Sequence, residues 1–490
     1  MDIGVGPWCP DVPDFENQGS TEALNVIPAG TSYRPFPGFG SFTNALTARA
    51  QGGVFAKRSD GGGKMFAGDA TKLYSLDLAA WSDVTRVSGG AYACPSDGHW
   101  NFCLFGPHVL AFNGADAPQT FNIDSASNFS ALGGSPPTAT YAAPVGDFVV
   151  AANTATNRSR VYWSGINDST TWTPSQATQS HFLPDGGEIT GIVGYSLSGV
   201  VFQRRAIRVM SYIGTPLVFQ FQKISDGVGA TIPGSVASYR DYIFFWDSTG
   251  FYMLVGAAQI VPIGDQRVNR YFWNRLNKNF LHRVTAAVDP VNGLYVVSYP
   301  SSNSADGTPD SMLVYRWAAD RWARSEPGAL EMVFGTANQH SFTLEELDGV
   351  SPTLEGLPYS LDSDVWIGVG QPLLGAFSTA HKFGFFAGPN MAATVDTTEA
   401  DISRGSYTRI RGARPMVDGA IVTPSLSIGH RNRQGDAVAY TAAVAMNGLG
   451  TCPFNVSARY HRGRVTVPAG ADWTHIQGID HIDARREGHQ

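Results

Sequence analysis

Tyr242-Ile-Phe-Phe-Trp-Asp-Ser-Thr-Gly-Phe-Tyr-Met-Leu254 sets two short apolar runs on either side of an Asp-Ser-Thr-Gly turn. The runs are rich in aromatic and β-branched residues, and each is too short to be a helix. Such runs bounded by turn formers predict strands, and strands this close in sequence predict a hairpin. The same grammar extends outward in both directions. Upstream lie Gly53-Val-Phe-Ala56, Lys64-Met-Phe-Ala67, Leu73-Tyr-Ser-Leu76, Val109-Leu-Ala-Phe112, Phe148-Val-Val-Ala151 and Gly199-Val-Val-Phe202. Downstream lie Leu294-Tyr-Val-Val-Ser298 and Met312-Leu-Val-Tyr315. Pairs recur every roughly 40–50 residues, a period typical of propeller blades. Several carry a Gly- or Asp-containing turn, as in Gly68-Asp-Ala-Thr-Lys-Leu-Tyr74, Asn113-Gly-Ala-Asp-Ala-Pro-Gln119 and Asp247-Ser-Thr-Gly-Phe-Tyr252. No tryptophan-aspartate or kelch signature fixes the number of blades.

The expected fold is therefore all-β: an irregular β-propeller with an extended N-terminal arm and a C-terminal β-sandwich. Residues 1–45 are rich in Pro, Gly and Asn, and Pro28–Gly38 cannot be helical because each proline restricts itself and the residue before it. The propeller is expected over 46–345. Residues 346–399 are expected as a linker and additional strands: 346–365 is a polar, Pro-containing stretch read as a domain boundary, and the strands Leu373–Phe377 and Lys382–Phe386 either complete the propeller up to 398 or begin the next domain. Cleaner alternation from 400 to 490, as in Arg462-Gly-Arg-Val-Thr-Val467, marks the sandwich. Helix is expected at Gln266–Leu276, where Val268, Phe272 and Leu276 make one stripe, and in a short piece at Thr343–Leu347.

Composition agrees. Of 490 residues, 43% are hydrophobic, 12% aromatic and only 15% charged, with 55 Gly and 29 Pro. Few charges and many turn formers suit a β-rich chain whose surface is partly covered by partners. A net charge of −7 lacks the basic excess of a phosphate-gripping protein. No signal peptide and no apolar run long enough to span a membrane is read, so synthesis in a cytoplasm is expected. Cys9, Cys94, Cys103 and Cys452 form no CxxC pair, so no metal site is expected, and buried free thiols are preferred to a Cys94–Cys103 bridge, which stays open.

No catalytic constellation, cofactor motif or small-molecule substrate is read, and the chain is not expected to be an enzyme. Gly61-Gly-Gly63 reads as a hairpin tip rather than a phosphate cradle. Asp185, Glu188, Asp226 and Asp247 could in principle supply glycosidase carboxylates. Asp185, Glu188 and Asp226 each adjoin a glycine, however, and Asp247 opens the turn Asp247-Ser-Thr-Gly250, which makes turn chemistry the simpler reading. Arg204, Arg205 and Arg208 form the densest basic spot, expected at a protein interface ahead of DNA. Arg462 and Arg464 are expected as a solvated or subunit-facing strand row. A basic anion site joining them to Arg459, His461 and His475 is the other reading. Trp163 and Trp172 are expected as core plugs between blades rather than a carbohydrate platform.

Tyr162-Trp-Ser-Gly-Ile-Asn-Asp-Ser-Thr-Thr-Trp172, Ile207–Gly214, Phe219–Ile224, Phe244–Tyr252 and Met312-Leu-Val-Tyr-Arg-Trp-Ala-Ala-Asp-Arg-Trp322 together resemble the propeller-containing tail nozzle (tail hub) proteins of short-tailed bacteriophages. The resemblance covers 150–345 best. It implies a structural virion protein of the tail, a homo-oligomer in a ring of six below the portal and its adaptor. Such a ring retains the packaged genome, contacts tail fibres or spikes, and conducts double-stranded DNA through its lumen without sequence-specific binding. The alternative is a receptor- or glycan-binding tail appendage. These are packing and turn motifs, and they carry over no catalytic residue.

Overall fold

The computed structural model describes residues 2–13, 17–175, 178–339, 341–419 and 423–488. Six four-stranded antiparallel sheets and the first four strands of a longer sheet form seven consecutive blades. Blade 1 runs from Gly52–Lys57 to Ala80–Asp83, blade 2 from Asn101–Phe105 to Ser130–Ala131, and blade 3 from Ala139–Val145 to Ser180–Phe182. Blade 4 runs from Ile189–Gly194 to Val218–Asp226, blade 5 from Ala237–Tyr239 to Gln259–Pro262, and blade 6 from Thr285–Asp289 to Arg321–Ser325. Blade 7 takes Leu330–Ala337, Pro372–Ser378 and Lys382–Asn390, and its fourth strand, Pro37–Ala45, comes from far upstream.

The apolar runs are continuous rather than alternating because both faces of each blade are covered. Within the second strand of blade 5, Ile243 and Phe245 pack toward Phe202 of blade 4, while Phe244 and Trp246 pack toward Tyr295 of blade 6. The same division holds around the ring, and each of the seven seams, including blade 7 to blade 1, has its own apolar cluster. The ring is a closed propeller. Closure demands glycine: a Cβ on Gly384 would lie 1.8 Å from the Gly40 carbonyl oxygen on the closing strand.

Polar side chains cap the turn after the second strand in several blades. Asp69 accepts from the backbone N–H groups of Thr71 and Lys72, both at 2.7 Å. Asn113 accepts from Ala115 and Asp116, and Asp247 from Thr249. These are the repeated Gly/Asp turns of the sequence, with a buried acceptor matched to donors the turn leaves unpaired.

Two expectations are corrected. The stretch 346–365 does not end the propeller; it lies within an excursion between the first two strands of blade 7, and Leu373–Phe377 and Lys382–Phe386 complete that blade. A polar, Pro-containing stretch reads the same whether it links domains or decorates one. The helix is shorter than its stripe, Asn269–Arg275, because the backbone is left-handed at Gln266 (φ 52°) and non-helical at Val268 (φ −136°) and Leu276 (ψ 131°). Val268, Phe272 and Leu276 are nonetheless all buried.

The described part of residues 1–45, read as an extended arm, pairs with this chain's own sheets at Ile3–Gly4, Ala23–Leu24, Val26–Ala29, Ser32–Pro35 and Pro37–Ala45. Ala23–Leu24 lies parallel to the last strand of blade 6 and antiparallel to Ala393–Asp396. Through it the blade 6 sheet continues into Tyr460–Val467 and Ser425–Arg431. Val26–Ala29 and Ser32–Pro35 join a second sheet with His475–Arg486, Thr408–Asp418 and Cys452–Ala458. Val395, Leu426, Val465 and Val467 from one sheet share a core with Ile410, Val456, Ile476 and Ile479 from the other.

Candidate functional site

The basic spot meets three of the four candidate carboxylates, Asp185, Glu188 and Asp226, where blade 3 joins blade 4. Arg204 donates to Glu188 at 2.6 Å, and Arg158 reaches the same carboxylate at 3.1 Å. Arg208 and Lys223 both bind Asp185, and Lys223 also lies 3.3 Å from Asp226. Hydrogen bonding from Lys223 holds the Asp185 carboxyl below its usual range. The Glu188 carboxyl is lowered too: its burial acts the other way, but the two arginines outweigh it. Both are therefore stabilised as anions, whereas a general acid needs a raised value. Arg204, Arg205 and Arg208 do not form a free cationic patch, since Arg204 and Arg208 face these acids. Asp247 is fully buried and accepts from Gly229 and Thr249, so it closes a turn.

The Arg462–Arg464 row, expected as a solvated or subunit-facing face, is instead a largely buried network within this chain. Arg462 is 5% exposed. It donates to Glu399 at 2.8 Å and to the Thr21 hydroxyl at 2.9 Å. Arg431 binds the same Glu399 at 2.7 Å. Arg464 forks onto Asp396 at 2.7 and 2.8 Å and lies 3.9 Å over the Tyr440 ring, whose hydroxyl also donates to Asp396. Alternation placed Val465 and Val467 inward, but nothing local announced that Asp396 and Glu399 would cover the other face. Burial, then the neighbouring His430, pushes the His461 imidazole down to about 4. Arg459 instead stacks on Tyr460 and pairs with Asp401 at 3.7 Å. His475 begins the last strand, outside the network.

Trp163, Trp172 and Trp246 are 2%, 8% and 2% exposed and fill seams between blades. Cys94 and Cys103 are free thiols in different seams, each pushed up to about 12 by burial. Among the described residues no cluster of His, Cys, Asp and Glu could hold a metal ion, and no helix is long and apolar enough to cross a membrane.

Two regions were not read from the sequence. At the end of the propeller where the first strands begin, a cavity of about 520 Å³ is lined by residues of blades 2 to 4 and of the segments entering blades 5 and 6. His99 Nε2 there donates to the carbonyl of His282 at 2.5 Å. Blades 2 and 6 are not neighbours, so this contact crosses the mouth. At the opposite end, the hairpin tips of blade 4 expose Leu197 (72%), Leu217 (64%) and Ile213 (49%). The Tyr212 N–H bonds the Leu197 carbonyl and draws those tips together. The blade 7 excursion exposes Leu344, Leu354 and Ile367 at the same end. Neither feature has a sequence signature, because exposure of single apolar residues depends on tertiary placement.

No family model matches the chain, and no curated protein does. Among solved structures, the chain is similar to the computationally designed Ika8 protein at 9% identity and TM-score 0.37, over 70% of this chain and 98% of that one. It is similar to BamB from Moraxella catarrhalis at 10% identity and TM-score 0.36, over 74% and 92%. A chain of the Mitotic Checkpoint Complex gives 7% identity and TM-score 0.37, over 73% and 96%. At these scores the likenesses add nothing to the propeller assigned above from its own sheet pairing.

Proposed function

We propose that this chain is a structural, non-enzymatic subunit of a phage tail nozzle, a virion protein that assembles as a ring, six copies in the reading we favour, beneath the portal and adaptor. In this reading the two C-terminal sheets form a β-sandwich, residues 1–45 are the arm that ties it to the propeller, and the ring conducts DNA during ejection. The observation that carries the proposal is the set of exposed apolar residues at one end of a low-charge body: Leu197, Ile213 and Leu217 on the blade 4 tips, drawn together by the Tyr212–Leu197 bond, and separately Leu344, Leu354 and Ile367 on the blade 7 excursion. Clustered exposed apolar residues on a folded protein are characteristic of a surface covered by a partner. The tail-protein motifs around Trp163 and Trp322 supply the kind of partner. Because His99 and His282 meet across the propeller mouth, the conduit in this reading lies between copies and not along the axis of a single propeller. The aromatic residues that suggested a glycan platform are inside, so that alternative gains no support.

Cryo-electron microscopy of the particle, averaged about the tail axis, tests the proposal. A closed ring of this chain beneath the portal is the expected result. Peripheral spikes would favour the receptor-binding reading, and absence from the particle would end the structural one. A Leu197→Asp/Leu217→Asp chain is expected to fold and to fail incorporation.

A further inference from the structure

The excursion between the first two strands of blade 7 carries charge of one sign. Residues 341–371 hold six carboxylates and no Lys, Arg or His. Five of them, Glu345, Asp348, Glu355, Asp362 and Asp364, are exposed, and none of the five enters an ion pair among the described residues. Among them stand the exposed Leu344, Leu354, Leu361 and Ile367. Lys382 shares a cleft with Glu346 and Val350, but Asp77 accompanies it there. Carboxylates gathered without counter-charge repel one another, and exposed leucines beside them mark a surface made to be covered. A partner that relieves both is basic and partly apolar.

This chain carries such a surface on its C-terminal sheets. Thr408–Asp418 lies beside His475–Arg486, with Arg409 opposite Arg485 in register. Arg409 is paired with Glu487, and Arg459 with Asp401. Arg404, Arg411 and Arg485 are exposed and enter no ion pair among the described residues. Asp483 lies among them unpaired, and Asp418, at the far end of the same strands, is bonded to Gln477. The balance is therefore an excess of arginine. The turn leading into the adjoining strand, Cys452–Ala458, exposes Leu449. We infer that the blade 7 excursion of one copy docks on this arginine-bearing face of a second copy. The excursion's carboxylates face Arg404, Arg411 and Arg485, and its leucines are covered at the contact. Because the two faces differ, the contact is head-to-tail and repeats from copy to copy until it closes. The inference rests on the ring reading for its choice of a second copy over another basic protein.

Sedimentation velocity of the full chain over a range of concentrations tests it. The expected result is association whose dissociation constant rises by about tenfold or more when salt is raised from roughly 0.05 M to 0.5 M. A Glu355→Lys/Asp362→Lys chain and an Arg411→Glu/Arg485→Glu chain are each expected to be monomeric. All four residues are exposed, so the fold is kept, and circular dichroism verifies this. Mixing the two variants should restore association, because each reversed face then meets its opposite, a rescue that a damaged fold could not show. A wild-type chain that stays monomeric at every concentration overturns the inference, and so does a mixture that fails to associate. Association that neither pair of substitutions changes also overturns it, by placing the contact elsewhere, and leaves the ring reading standing. A particle without a ring of this chain ends the ring reading whatever sedimentation shows.

Discussion

Two charged clusters in this molecule use the same residue types in opposite surroundings. Where blade 3 meets blade 4, Arg158, Arg204, Arg208 and Lys223 pair with Asp185, Glu188 and Asp226, and the Arg158 and Arg204 side chains are 70% and 55% exposed. In the C-terminal sheet, Arg431 and Arg462 meet Glu399 with side chains only 4%, 5% and 11% exposed. Water screens most of the first cluster, Arg208 at 10% side-chain exposure being the exception, and leaves Glu188 and its two arginines replaceable. The second has exchanged hydration for mutual contacts, so each member depends on the others. The contrast shows that counting ion pairs says little about stability until burial is known.

The largest effect is expected from Glu399→Ala, which strands two buried guanidiniums. Urea unfolding should show a loss of roughly 3–5 kcal/mol, and a loss no larger than that of a surface pair would erase the contrast. Next comes acid. The unfolded His461 imidazole takes a proton near its ordinary 6.5 and the folded one near 4. Between these values the unfolded chain binds more protons. The contribution is whole above pH 6.5 and is lost as pH falls toward 4, by up to roughly 3 kcal/mol. His461→Leu should flatten the slope of stability against pH across that window. The smallest effect is expected from Glu188→Gln, within about 1 kcal/mol and shrinking further in high salt. A large loss there would mean that the blade 4 cluster is structural after all.

The sequence was most legible where both faces of a strand are buried. Tyr242–Trp246 and Phe251–Leu254 announce themselves because they contact two neighbouring blades at once, and the Asp247 turn follows from local hydrogen bonding. Burial of Trp163 and Trp172 was also readable, since aromatic residues in such runs more often pack than bind. The closing partner of Lys382–Asn390 was not legible. Pro37-Gly-Phe-Gly-Ser-Phe42 looks like a loop because its glycines, needed where the backbones approach, hide its pairing. Arg462 was misread for a related reason: period-two alternation says which residues share a face but not what will cover it.

The clasp that shuts the propeller has a consequence for how the chain comes into being. Thr43 donates to the Phe383 carbonyl from 340 positions away in sequence. At a translation rate of roughly 5–20 residues per second, the closing strand waits on the order of tens of seconds for its partner to be synthesised. During that interval its edge is open to any other nascent strand. Its glycine-rich, weakly apolar character suits a segment that must stay uncommitted on the ribosome. The ring can join its ends only after blade 7 has emerged, so an mRNA truncated before that blade should yield an aggregation-prone open arc rather than a smaller propeller.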